Sequence, residues 1–224
     1  MAAPGLVVPT FREAASIGAL VAAARAAVPE LRVLVVDDGS DDGTADLAEE
    51  AGADVLRRAG ARGLGPAYRA GFDRALTDGW DPVLQMDGDL SHDPKDLPRL
   101  IAALADADLA LGTRWMPGGG TVDWGAGRRV LSRLGNVYAR AWHRSPLRDL
   151  TGGFKAWRAS ALRAIAPRSL RCDGYAFQVE ATVLAVRAGA RVVEVPILFT
   201  ERRAGASKMR ASIAVEAAWR VPTI

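Results

Sequence analysis

Two aspartates separated by a single glycine, Asp87-Gly88-Asp89, close the apolar run Val83-Leu84-Gln85-Met86. In extended backbone, residues two apart point to the same face, so both carboxylates can share one cation. Gly88 has no Cβ and lets a bulky anionic ligand approach the backbone. A strand ending this way carries its carboxylates to the C-terminal edge of an open α/β sheet, where such sheets bind ligands. The chemistry that fits is a metal–diphosphate site. An Asp-Gly turn open to solvent is the alternative reading of these three residues alone.

A second acidic turn, Asp37-Asp38, follows the run Arg32-Val-Leu-Val-Val36. In a parallel sheet the two turns share an edge, and carboxylates there can accept from a ribose hydroxyl or a base N–H. The same carboxylates would repel a diphosphate, so a hard divalent cation is implied between them. Oxygen donors beside phosphate favour magnesium or manganese. His92 and His143 are the only histidines and Cys172 the only cysteine. That leaves no cluster of zinc type, and His92 and Cys172 read as structural.

The elements that must position these residues alternate. Leu6–Val8 reads as a strand, and Ile17, Leu20, Val21, Ala24 and Val28 form one apolar helical face that Pro29 ends. Arg32–Val36 reads as a buried strand, and Thr44 as the cap of a helix to about Ala51. Val55–Arg57 follows as a weak strand, then a glycine-rich loop at 60–65 and a helix over 66–77. After the aspartate-bearing strand, Asp93 caps a helix with Leu97, Leu100, Ile101 and Leu104 on its buried stripe, and Leu109–Leu111 is a further strand. This βα alternation predicts an α/β fold with a mostly parallel central sheet and helices on both faces.

The second half differs in character. Residues 124–148 carry six arginines and no acid. Val130, Leu131, Leu134, Val137, Tyr138 and Ala141 mark one helical face there, with Arg129, Arg133 and Arg140 available to the other. The helix is either an ordinary surface helix with a solvated basic face or one lying on an anionic bilayer. Further helices are expected near 160–165 and after the Gly174–Glu180 stretch, with strands at 192–195 and 197–200 and a last helix to about residue 220. One domain over residues 1–224 is the simplest organisation, in two parts of about 1–112 and about 113–224.

Composition narrows the class. Half the residues are hydrophobic and a quarter charged, as in ordinary globular proteins. The net charge of +3 is too small to indicate a nucleic-acid partner. The N-terminus has no basic, apolar signal pattern, and no apolar run reaches the roughly 18–20 residues of a membrane span. Any membrane work is expected to be done from the surface.

The ordered set Pro9-Thr-Phe-Arg-Glu13, Val35-Val-Asp-Asp-Gly-Ser-Asp-Asp-Gly-Thr44, Gly63-Leu-Gly65, Asp87-Gly-Asp-Leu-Ser-His92, Gly112-Thr-Arg114, Asp149-Leu-Thr-Gly-Gly-Phe154 and the basic stretch from Arg202 to Lys208 resembles the GT-A inverting glycosyltransferases of family 2. Within them it is most similar to the polyprenyl (dolichyl) phosphate mannose synthases. The resemblance implies a GT-A, Rossmann-like fold and transfer of mannose from GDP-mannose to a polyprenyl monophosphate at the cytoplasmic face of the membrane. It implies that Pro9, Phe11, Glu13, Val35 and Asp37 frame base and ribose, and that Asp87, Gly88 and Asp89 hold ribose and metal, with Ser91 as a further metal contact. Arg114, Arg202 and Lys208 would grip phosphates and, with Asp89, carry the catalysis. Arg114, Arg128, Arg129 and Arg133 would receive the acceptor phosphate. Phe11, Arg12 and Gly88 depart from the tyrosine, asparagine and alanine usual in the family. A UDP-sugar donor and a non-catalytic nucleotide-binding module are the competing functions, and a separate membrane-anchoring protein is an expected partner.

Overall fold

The computed structural model describes residues 3–60, 62–201 and 219–224. Its centre is a seven-stranded sheet in the order β3-β2-β1-β4-β7-β5-β8. Strands β1 (Gly5–Thr10), β2 (Arg32–Asp37), β3 (Asp54–Arg57) and β4 (Val83–Gln85) pair in parallel, as do β5 (Leu109–Thr113) and β8 (Val192–Pro196). The exception is β7 (Lys155–Trp157), which lies antiparallel to both β4 and β5. This three-residue insertion is absent from the sequence reading. It is too short to show alternation, and its partners lie far away in the chain.

Both faces of the sheet are covered, which is why the central strands β1 and β2 are largely apolar and buried along almost their whole length. Leu6, Val8, Val33 and Val35 point to one side, into a core built with α1 (Ile17–Ala27), α2 (Thr44–Glu50) and α4 (Leu97–Ala103). Val7, Leu34 and Val36 point to the other, against α3 (Leu64–Thr77), α6 (Ala159–Ala164) and α7 (Gly174–Arg187). The stripe Ile17, Leu20, Val21 and Ala24 is buried as its spacing requires. Leu97, Leu100 and Leu104 are likewise buried, and Ile101 packs at their margin.

Three local expectations change. Gly43, at φ 84°, occupies the position before α2, and Thr44 is the first helical residue, its hydroxyl donating to Asp42 while accepting from the Glu13 N–H. Asp93 does accept from the Lys95 N–H, but the cap opens a single 3₁₀ turn, Pro94–Asp96, ahead of α4. Gly174–Glu180 does not lead into a helix; it is the first half of α7.

Helix α5 (Ala126–His143) packs through Asn136 and Ala139, and Asn136 accepts from the Leu150 N–H at 2.9 Å. Its apolar face is turned outward: Val130, Leu131, Leu134, Val137, Tyr138 and Trp142 are all exposed. Beside it, β6 (Gly120–Val122) and β9 (Leu198–Thr200) form a small parallel ribbon. Most of the expected last helix lies outside the described residues, and among those described no helix is long and apolar enough to cross a membrane.

Candidate active site

Because β2, β1 and β4 are adjacent and parallel, both acidic turns leave the sheet at the same edge. A cavity of about 410 Å³ opens there. Its floor is the end of β1 and the Asp87–Asp89 turn; its walls are residues 62 and 63, the starts of α3 and α7 and the 151–153 segment. The turns are tied together by short bonds. Ser16 Oγ donates to the Gly88 carbonyl at 2.8 Å, and Thr10 Oγ1 donates to Asp37 at 3.0 Å. Gly65 is required because a Cβ would lie 2.3 Å from the Cys172 carbonyl, and its N–H donates to Asp173 at 2.7 Å.

The lining is acidic. Glu13, Asp38, Asp87, Asp89, Asp173 and Glu201 face the space, against the guanidinium groups of Arg62 and Arg128. Arg128 is already paired with Glu201, and Asp38 is engaged by Arg58 and the Gly63 N–H. A diphosphate entering this cavity therefore needs an accompanying cation. Among the described residues no three His, Cys, Asp or Glu side chains cluster as a ready-made cage. Two carboxylates with the remaining positions left to phosphate oxygens and water is the mode in which magnesium binds. Asp87 and Asp89, with the Ser91 hydroxyl 2.5 Å from Asp89 Oδ1, fit such an ion. His92 is buried between Phe154 and Phe199, its Nε2 3.5 Å from Asp87 Oδ2.

Two buried cations support this edge. Arg114 donates from Nε and an η nitrogen to the two oxygens of Asp149, at 2.8 and 2.9 Å, and also to Thr151. Burial pushes the Asp149 carboxyl up, but the charge and hydrogen bonds of Arg114 outweigh it and hold the group below its ordinary value. Lys155 is fully buried, and its ammonium donates at 2.9 Å to both the main-chain and side-chain oxygens of Gln178. Burial pushes Lys155 down to about 7, against the upward pull of Asp149 and Asp87.

The unfolded value for lysine is about 10.4, so between the two values the unfolded chain carries the additional proton and stability rises with pH. Urea unfolding should show stability increasing by about 2 kcal/mol from pH 7 to pH 9, and Lys155→Met should flatten the rise. An unchanged slope in the variant would exclude Lys155 as its source.

The structure gathers some of the expected residues and separates others. Pro9, Phe11, Glu13, Asp87, Gly88, Asp89 and Arg128 line the cavity. Val35 is fully buried in the core, and Asp37 does not line this cavity; it is buried at the end of β2, accepting from Thr10 and Ser40. Ser91 is buried against Asp89, and Arg114 is buried against Asp149. Arg129 and Arg133 are exposed on α5. Arg202 and Lys208 lie outside the described residues. Glu180 is a structural anchor, its carboxylate accepting from the Arg171 and Cys172 N–H groups.

The family model "Glycosyl transferase family 2" matches residues 6–166. The chain belongs to that family. It is 44% identical over 216 residues to an undecaprenyl-phosphate mannosyltransferase of Micrococcus luteus, covering 94% of this chain and 89% of that protein. It is 43% identical over 223 residues to a polyprenol monophosphomannose synthase of Mycolicibacterium smegmatis, covering 96% and 84%. Among solved structures, glucosyl-3-phosphoglycerate synthase of Mycobacterium tuberculosis in complex with Mn²⁺, UDP-glucose and phosphoglyceric acid superposes with a TM-score of 0.71 at 17% identity, over 98% of this chain and 77% of that one. The same enzyme with Mg²⁺ and UDP gives 0.71 at 18%, over 99% and 79%. At these identities the structural likeness establishes the GT-A fold.

For this family 2 glycosyltransferase, several cavity residues escaped sequence reasoning. Arg62 lies over the Phe11 ring, its guanidinium carbon 3.9 Å from the centroid, so the aromatic face that could stack on a base already holds a planar cation. Gln178, Tyr175 and Asp173 come from the start of α7. Only the aromatic-rich GYAFQVE stretch hinted at them. Nothing local distinguishes a cavity glutamine from a surface one.

Proposed function

We propose that the enzyme transfers mannose from GDP-mannose to a polyprenyl monophosphate, giving polyprenyl-phosphate β-mannose and GDP. The observation that carries this reading is the 44% identity to an undecaprenyl-phosphate mannosyltransferase across 94% of the chain. The acidic cavity at the sheet edge supports it, since it suits a cation-bound nucleoside diphosphate.

Asp87 and Asp89 hold the divalent ion, magnesium or manganese, with Ser91 fixing Asp89. When bound, the ion supplies Lewis-acid stabilisation of the departing diphosphate. Pro9, Phe11 and Glu13 frame the base and ribose at the end of β1, and Asp37 and Val35 support that strand edge from behind. The acceptor phosphate needs no general base, because a monoester with a second pKa of roughly 6 is mostly ionised at neutral pH. The chain must instead orient that anion in line with the anomeric carbon. Arg128 stands at the cavity mouth for this task, Arg129 and Arg133 extend the positive path along α5, and Arg114 holds the 149–151 segment that shapes the wall. Arg202 and Lys208 complete the grip on the leaving phosphates. One direct displacement inverts the configuration, from α-linked donor to β-linked product.

The exposed apolar face of α5, flanked by arginines, suits an anionic bilayer at the cytoplasmic surface. A separate membrane protein that anchors the chain fits the same face. Replacing Leu134 and Val137 by Asp should reduce sedimentation with phosphatidylglycerol vesicles at least about tenfold, since each burial is worth about 1.5 kcal/mol or more. Transfer to a short, water-soluble polyprenyl phosphate should persist. Equal vesicle binding by the variant would place the membrane contact elsewhere.

The solved neighbour that binds UDP-glucose makes a UDP-sugar donor the second reading. Competition binding separates the two: GDP should displace a labelled nucleotide sugar at lower concentration than UDP. The reverse order would move the donor to the UDP series.

A further inference from the structure

Beneath the cavity, between β4, β7 and α7, lies a chain of side chains that the proposed mechanism leaves unused. The Trp157 indole N–H donates to Gln85 Oε1 at 2.9 Å. Gln85 Nε2 then donates to the Gly153 carbonyl at 3.1 Å and to Gln178 Oε1 at 2.9 Å. Lys155 Nζ donates to the same Gln178 oxygen. An indole N–H can only donate, so the orientation of the Gln85 amide is fixed, and through it that of Gln178. Lys155 Nζ meets both the main-chain and the side-chain oxygen of Gln178 at 2.9 Å, the arrangement a donor makes. Gln178 is only 2% exposed, and its oxygen takes two donors.

The amide nitrogen is thereby turned toward the cavity wall. Among the described residues it makes no hydrogen bond. Gly153 marks what stands beside it: a Cβ built there would lie 3.1 and 3.3 Å from the two carboxylate oxygens of Asp87 and 3.4 Å from Gln178 Nε2. A fixed donor and a carboxylate thus border one small space, kept open by a glycine. A phosphate oxygen can accept from the amide but offers Asp87 no donor. A hydroxyl satisfies both, accepting from Gln178 and donating to Asp87.

We propose that Gln178, held by Gln85 and Lys155, binds a hydroxyl of the donor sugar together with Asp87, and so selects the sugar rather than the nucleotide. The inference rests on the nucleotide-sugar reading above and deepens it by naming the residue that reads the sugar. Gln178 acts at the substrate; Gln85 and Lys155 are positioning residues.

The test is calorimetric, on the full chain with manganese, using GDP, GDP-mannose and GDP-monodeoxymannose analogues. The wild type should bind one deoxy analogue about tenfold more weakly than GDP-mannose, the effect of one unsatisfied buried hydrogen-bonding group. Gln178→Met should bind GDP-mannose about tenfold more weakly, bind GDP within about twofold of the wild type, and no longer distinguish that analogue. Gln178→Glu keeps both acceptor bonds, and so the buried network, but presents an acceptor to the cavity; it should lose the same discrimination while melting near the wild-type temperature. Equal losses for GDP and GDP-mannose, or full discrimination of the analogues by both variants, would overturn the assignment. If the wild type binds UDP-sugars and not GDP-mannose, the UDP-sugar series replaces the GDP series, and the same comparison decides on Gln178. A wild type that binds no nucleotide sugar would remove both the functional reading and this inference.

Discussion

Asp89→Ala lowers sugar transfer by about a thousandfold and abolishes saturable manganese binding in the presence of nucleotide, while the protein stays folded. The size follows from the loss of a preorganised charge at a developing anion, typically 10²–10³-fold in rate. Asp89 sits 8% exposed at the turn after β4, beside Asp87 in a lining where acids outnumber the two arginines. It also accepts from the Ser91 N–H and hydroxyl. Losing those bonds costs on the order of 1–2 kcal/mol, which a well-packed sheet edge tolerates. Single-turnover transfer and manganese titration of the variant check the two halves. Wild-type turnover in Asp89→Ala would remove the cation from the account of this cavity.

Asp149→Ala has the largest expected effect on stability. Arg114 and Asp149 have side chains 4% and 0% exposed, and they meet through two parallel hydrogen bonds. Removing the carboxylate leaves a buried guanidinium whose remaining side-chain hydrogen bond among the described residues is to the Thr151 hydroxyl, with the Trp115, Trp124 and Phe199 rings around it. Breaking a buried pair in this way costs about 3–5 kcal/mol, a large part of the stability of one domain. The doubly substituted Arg114→Met, Asp149→Leu protein should regain most of that loss, because no charge is stranded. Denaturant unfolding of the wild type, Asp149→Ala and the double variant reads this directly. If the double variant is as unstable as the single one, the cost is in packing and not in the unpaired charge.

Much of the site was legible because it obeys local rules. An apolar strand running into Asp-Gly-Asp, and another into Asp-Asp, have to end at one edge once the sheet is parallel. The apolar spacing of Ile17 to Ala24 could be satisfied only by burial against that sheet. What was not legible depends on long-range pairing. Nothing near Arg114 announces that Asp149, 35 residues later, will take its charge. Nothing near Lys155 announces an antiparallel insertion between β4 and β5. The apolar stripe of α5 shows a related ambiguity. Periodicity identified the stripe but not its direction, and the structure turns Leu134 and Val137 outward while Asn136 and Ala139 face the protein. Gln178 combines both difficulties, since its significance comes from Trp157, Gln85 and Lys155 acting in series.

The most direct test of the central claim is transfer of label from radiolabelled GDP-mannose to a polyprenyl phosphate by the purified chain, with manganese, with magnesium and with chelator. Label should enter the organic phase with either ion and fall to background with chelator. Label that moves equally well with chelator would contradict the cation-assisted mechanism. No label from GDP-mannose or from UDP-glucose under any condition would contradict sugar transfer itself.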